Sequence, residues 1–188
     1  MSSENEKVKS ALEIALEKAQ KLGALSEEER QRLRDEELAA AGEALAKRYL
    51  NGLPLRDIDV ELGRRREEDR QIISRNLLSS LVDKIDMEHI AGAERILAAI
   101  QHLSGDSGVV QSMRDLLREY QSATEKAWRE NGSALEAAKR SELELKGISG
   151  SAVDPAIETS PEWLQIRHRL DTDYQERLEE IKRKCKNL

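Results

Sequence analysis

Apolar residues recur along this chain at alternating steps of three and four, the spacing that lines one face of a helix. Val8, Leu12, Ala15, Ala19 and Leu22 predict a first helix over 4–22, ended by Gly23, since glycine takes a left-handed terminal position at least cost. Ser26 followed by Glu29 has the form of a capping box and starts a second helix, through Leu33, Leu38, Leu45 and Tyr49 to Asn51-Gly52. The short turn between them predicts an antiparallel hairpin. Inside the second helix, Ala39, Gly42 and Ala46 make a small-residue patch. An interior glycine costs about 1 kcal/mol relative to alanine, which a closely crossing helix would justify; the alternative is a tolerated glycine on an exposed face. Gly92 is a further candidate for such a crossing.

Leu53-Pro54 interrupts the pattern, and a short turn carrying Ile58 and Leu62 follows. From 64 to 103 the seam is Leu78, Val82, Ile85, His89, Gly92, Ile96, Ala99 and Leu103, widened by Ile73, Leu77 and Leu81. One helix of about 40 residues would span about 60 Å. Either the molecule is elongated, or the segment breaks near Asp86-Met87, or part of it packs on another subunit. After a turn at Gly105 and Gly108 comes a heptad run, Val109, Met113, Leu116, Tyr120, Ala123 and Ala127, flanked by Trp128. Asn131-Gly132-Ser133 reads either as a C-cap followed by a new N-cap or as a weak point in one helix ending near Leu145, and the break is the favoured expectation.

Glycines, serines and Pro155 mark 146–160 as a flexible linker. Ser160 as N-cap, Pro161 at the first helical position and Glu162 then start the last helix. Trp163, Ile166, Leu170, Tyr174, Leu178, Ile181 and Cys185 recur in it every 3.67 residues or so, the period of a nearly straight helix. The predicted organisation is a helical bundle over 1–145, the linker, and a C-terminal helix over 161–188 docking on the bundle or on a partner subunit. The fold class is all-α, an elongated bundle of about five long amphipathic helices with coiled-coil-like seams.

Composition explains why the helices are long. Charged residues make up 36% of the chain, against about 25% in an average domain, and there is no Phe. Long helices with thin apolar stripes suit such a high ratio of surface to core. The net charge of −6, with no basic stripe and few aromatics for base stacking, argues against nucleic acid. No stretch approaches the ~18 apolar residues of a membrane span. With a polar start over Met1 to Lys9 and the single Cys185, which allows no intrachain disulfide, a cytoplasmic location is expected.

Candidate chemistry is sparse. No phosphate-binding glycine loop or dinucleotide fingerprint occurs, and Ser-Gly-Asp-Ser-Gly at 104–108 reads as an interhelical turn rather than a nucleophile loop. Asp86, Glu88 and His89 are the nearest approach to a metal motif, because a carboxylate and a histidine at i, i+3 share a helix face. His89 also occupies a seam position, which favours a hydrogen-bonded core histidine. Arg64-Arg65-Arg66, among acidic neighbours, reads as paired within a solvated helix face. Cys185 between Lys184 and Lys186 should lean somewhat toward thiolate, but with no nearby His or second Cys it reads as a seam residue near a frayed helix end, where oxidative dimers in vitro would be no surprise. Trp128 and Trp163 are the large anchors, suited to a core or to an interface.

The stretch Ser10 to Gly23, followed by Leu25-Ser-Glu-Glu-Glu29 and by Gly42 to Leu50, resembles a family of uncharacterised bacterial all-helical proteins over the first third of the chain. The resemblance implies a bacterial cytoplasmic source and carries no functional residue. The expected function is a non-enzymatic helical interaction or assembly protein, a homodimer. Its expected contact face is Trp163, Ile166, Leu170, Tyr174, Leu178 and Ile181. The alternatives are an adaptor or chaperone-like binder of another protein, and a helical-bundle metalloprotein using Asp86, Glu88 and His89. No cofactor, small-molecule substrate, nucleic acid or membrane partner is expected.

Overall fold

The structure is a computed structural model that describes residues 26–150 and 152–187. The helix expected over 4–22, and its hairpin with the next helix, lie outside these residues. The described residues form an all-α bundle: α1 (Glu27–Leu50), α2 (Leu55–Gly63), α3 (Glu67–Val82), α4 (Ile90–Ser104), α5 (Ser107–Leu145), a 3-10 turn (Ile157–Thr159) and α6 (Pro161–Lys186). No helix among the described residues is long and apolar enough to cross a membrane.

A local signal sets the start of α1, and a contact with another helix holds its end. The Ser26 hydroxyl accepts from the Glu29 amide at 3.2 Å, and the Glu29 carboxylate accepts from the Ser26 amide at 2.8 Å. This reciprocal cap satisfies two donors that a helix start leaves open. At the other end, the Arg95 guanidinium donates to the Tyr49 carbonyl and the Tyr49 hydroxyl donates to the Arg95 carbonyl, both at 2.7 Å. That exchange ties the last turn of α1 to α4.

The path of the chain follows from cross-helix pairs. Arg34 faces Asp69, and Gly42 faces Ile73 to Leu77, so α1 and α3 run parallel with α2 as the return. Glu94 pairs with Arg114 close after the short α4–α5 turn, and Trp128 meets Trp163 while Tyr120 meets Tyr174, so α4–α5 and α5–α6 are antiparallel. One core joins them, built from residues such as Ile58, Leu77, Leu97, Ile100, Met113 and Leu178. α6 also reaches α3, where Lys186 pairs with Asp83.

Of the alternatives for 64–103 the break near Asp86-Met87 holds, and the break favoured at 131–133 is corrected. Segment 64–103 is two helices, because the chain turns over 83–89. There the Asp86 carboxylate accepts from the amides of Glu88, at 2.9 Å, and His89, at 2.7 Å, binding the backbone in a turn. The buried stripe therefore changes phase: Ile85 and Met87 face inward, whereas His89 and Gly92 are exposed. Conversely, no break occurs at 131–133. The Asn131 side chain donates to its own helix, to the Ala127 carbonyl at 2.8 Å, and Gly132 packs beneath the Trp128 ring. Continuous over 39 residues, α5 is about 58 Å long.

Segment 146–160 follows the end of α5 in hydrogen-bonded turns. The Gly147 amide donates to Glu144 and the Ile148 amide to Leu143, with Gly147 at φ 75°. This is a Schellman ending, which satisfies carbonyls that the helix leaves open. The Arg140 guanidinium then holds the Val153 carbonyl at 3.4 Å, and the Ser160 hydroxyl caps α6 through the Trp163 amide at 3.2 Å.

Candidate functional site

The face of α6 anticipated as a partner surface packs within its own chain. Trp163 and Leu178 are buried, and Leu170, Tyr174 and Ile181 pack partly buried against the core; Ile166 is half-buried. Tyr174 meets Tyr120 edge-on at 5.5 Å, and Trp163 meets Trp128 at 4.8 Å with the rings 80° apart. Such edge-to-face pairs contribute about 0.5–1.5 kcal/mol beyond their buried area. Of the five aromatic residues in the sequence, four thus gather along the α5–α6 seam.

Beside the tryptophan pair the seam opens into a cleft of about 720 Å³. Tyr120, Trp128, Trp163 and Met87 line its apolar part. Glu125, Arg129, Glu158 and Arg167 line the remainder with Gln121 and Thr124. Met87 also borders a second hollow of about 340 Å³, lined by Asp86, Glu88, His168, Asp171, Thr172 and Gln175. Between the two, the Tyr120 hydroxyl donates to the Asp171 carboxylate at 2.5 Å, with Arg167 4.0 Å from the same carboxylate. Burial, reinforced by that carboxylate and opposed by Arg167, raises the Tyr120 pKa, so the phenol stays a neutral donor. The cleft therefore offers an aromatic floor and a fixed polar edge.

The turn around Asp86 is structural in its chemistry. Asp86 and His89 do meet, with Nδ1 3.0 Å from the carboxylate, but in a turn rather than on a helix face. The His89 side chain is 77% exposed, which corrects its reading as a core histidine. Burial opposes ionisation of Asp86, but the hydrogen bonds from His89 and Glu88 outweigh it and lower its pKa. No group of three or more His, Cys, Asp or Glu among the described residues is placed to hold a metal. The metalloprotein reading therefore finds only the Asp86–His89 pair. The loop at 104–108 is likewise occupied by turn-making: Asp106 caps α5 through the amides of Gly108 and Val109, at 2.7 and 3.1 Å. The Ser104 hydroxyl donates to the Ile100 carbonyl at 2.7 Å.

The small residues divide. Gly42 and Ala46 are buried and Ala39 half-buried, and at Gly42 the backbone of α3 comes so close that a Cβ would sit 2.5 Å from the Ile73 carbonyl oxygen. Gly92 has nothing within 4 Å of a built Cβ, so no helix among the described residues crosses there. The three arginines at 64–66 sit at the α2–α3 turn rather than within a helix, while Glu61 and Glu67 pair with Arg48 and Arg70 instead.

Cys185 lies on the α6 seam as expected, but its lean toward thiolate is corrected. Its side chain is fully buried, and burial, with a smaller contribution from Asp106, raises its thiol pKa. Lys184 points away to Glu180 at 2.8 Å. The native state thus holds the thiol proton more tightly than the unfolded chain. This contribution to stability is intact below the ordinary thiol range near about 8.5 and is lost as pH rises through the native value. A thiol-specific disulfide reagent should label the native protein slowly and the urea-unfolded chain fast. Native labelling at the rate of a free thiol would contradict the buried position.

Comparison with protein-family models, with curated proteins and with solved structures gives no match to this chain. What remains is the geometry, including one surface that sequence reasoning missed. α5 contributes no buried residue beyond Gly132, and its outer turns end at Leu145, which is 90% exposed, three residues before Ile148 at 47%. Leu143 and Val153 are half-buried beside Ile148.

Proposed function

We propose that the chain is a non-enzymatic assembly protein of the bacterial cytoplasm that acts through helix–helix contacts as a homodimer. The outer end of α5 supports this reading best. Single exposed apolar residues are ordinary on a monomer. Leu145 and Ile148 instead lie three residues apart at the tip of a long helix, where Ile148 shares a shallow hollow with Leu143 and Val153. A two-fold axis at the tip would set this patch against its own copy, the arrangement most soluble oligomers adopt.

The test is mass by light scattering across a wide concentration range, for the native chain and for a Leu145→Asp, Ile148→Asp variant. A dimer mass that falls to the monomer in the variant, with helicity and melting unchanged, is the expected result. A monomer mass for the native chain at every concentration would overturn the proposal.

A further inference from the structure

The cleft between α5 and α6 has features that the tip-to-tip dimer does not use. Its two hollows meet at Met87, which is buried yet reaches both of them. Along α6 they run from Trp163 to Gln175, about 18 Å at 1.5 Å per residue, which matches about three turns of a second helix. The floor beside the tryptophans is apolar, and a methionine at the centre can adjust to side chains of different shape.

The rim sets the charge of the occupant. Glu125, Glu158, Asp86, Glu88 and Asp171 border the two hollows, against Arg129 and Arg167, a formal surplus of three negative charges. His168 and the neutral Tyr120 phenol are the other titratable groups lining the two hollows. One of the two cations, Arg167, already faces Asp171. An anionic ligand would meet this surplus, whereas a cationic one would be drawn to it.

We infer that this groove receives a basic amphipathic helix of a partner protein, with one apolar anchor against Trp128, Trp163 and Met87 and its lysines or arginines along the acidic rim. This is the helix-in-groove mode of recognition, in which an apolar stripe gives affinity and flanking charges give selectivity. The inference goes beyond the proposed dimer and uses a different surface, so either can fail without the other.

The groove contains its own reporter, since both tryptophans of the chain lie in it. The experiment titrates the full chain with a synthetic leucine–lysine amphipathic peptide of about four helical turns, free of tryptophan and tyrosine, and follows tryptophan emission. A saturable spectral shift that weakens with salt is expected. Glu88→Lys with Glu158→Lys, both on exposed side chains, should weaken binding about tenfold, because each reversal replaces an attraction by a repulsion. The same reversals at Glu28 and Glu43, on exposed positions of α1, should leave it unchanged. A leucine–glutamate peptide of the same apolar pattern should bind at least tenfold more weakly than the basic one. Unchanged tryptophan emission, equal binding of the acidic and basic peptides, or equal losses from the two pairs of reversals would overturn the inference.

Discussion

Gly42→Ala is expected to destabilise the protein by about 2 kcal/mol, against the direction of helix propensity, which favours alanine by about 1 kcal/mol. A Cβ at this position would lie 2.5 Å from the Ile73 carbonyl oxygen, 2.8 Å from the Asn76 Cβ and 2.9 Å from the Leu77 amide nitrogen. Two of these atoms are backbone, so no rotamer change relieves the contact. The helices must separate by roughly 1 Å, and interior packing tolerates such a shift poorly. Leu38, Leu45, Ile73 and Leu77, buried around the crossing, would then lose contact together. Gly92→Ala is the matched control. It lies inside α4 with open space around it, so propensity acts alone and stability should rise by about 0.5–1 kcal/mol. Urea midpoints, compared at unchanged slope, decide the matter. A Gly42→Ala midpoint at or above that of the native chain would show that the helices are not in close contact there.

The same pair of glycines shows how far the sequence could be read. Gly42 sits between Ala39 and Ala46 at helical spacing, so a close crossing was visible as a patch. Gly92 fell on an extrapolated seam, and that seam assumed an unbroken helix. Asp86 and His89 at i, i+3 suit a helix face and a capped turn equally well, and the choice depends on Ile85 and Met87 finding the core. Asn131-Gly132 carries the same ambiguity in reverse. As a pair the two residues suggest a helix end, yet packing of the Trp128 ring over Gly132 keeps α5 continuous. Signals confined to four consecutive residues were legible: the Ser26–Glu29 box and the Ser160-Pro161 start both stand in the structure. The cleft was legible only in its anchors, Trp128 and Trp163. Its remaining walls come from the 83–89 turn, from α5 and from Glu158, segments brought together by tertiary packing that no local spacing encodes.

Trp163→Ala is expected to cost about 3–5 kcal/mol, the usual range for removing a buried tryptophan. Trp163 is 5% exposed at the first turn of α6, edge-on to Trp128, and its amide closes the Ser160 cap. Truncation would enlarge the adjoining cleft and strip Trp128 of its partner ring. The loss should also be local. The far half of α6 is held separately by Leu178 and Cys185 in the core and by the Lys186–Asp83 pair, so hydrogen exchange should accelerate near 161–170 and much less near 178–186. The emission of the remaining Trp128 should move to longer wavelength as water reaches it. Leu164→Ala, one residue on and 49% exposed, provides the scale, with an expected change within about 0.5 kcal/mol. If the two variants cost the same, the first turns of α6 do not belong to the bundle, and the cleft they wall would have no fixed shape. If Trp163 costs several times more, α6 is part of the folded core from its first turn. Any partner of this protein would then have to dock beside α6, along the cleft, rather than replace it.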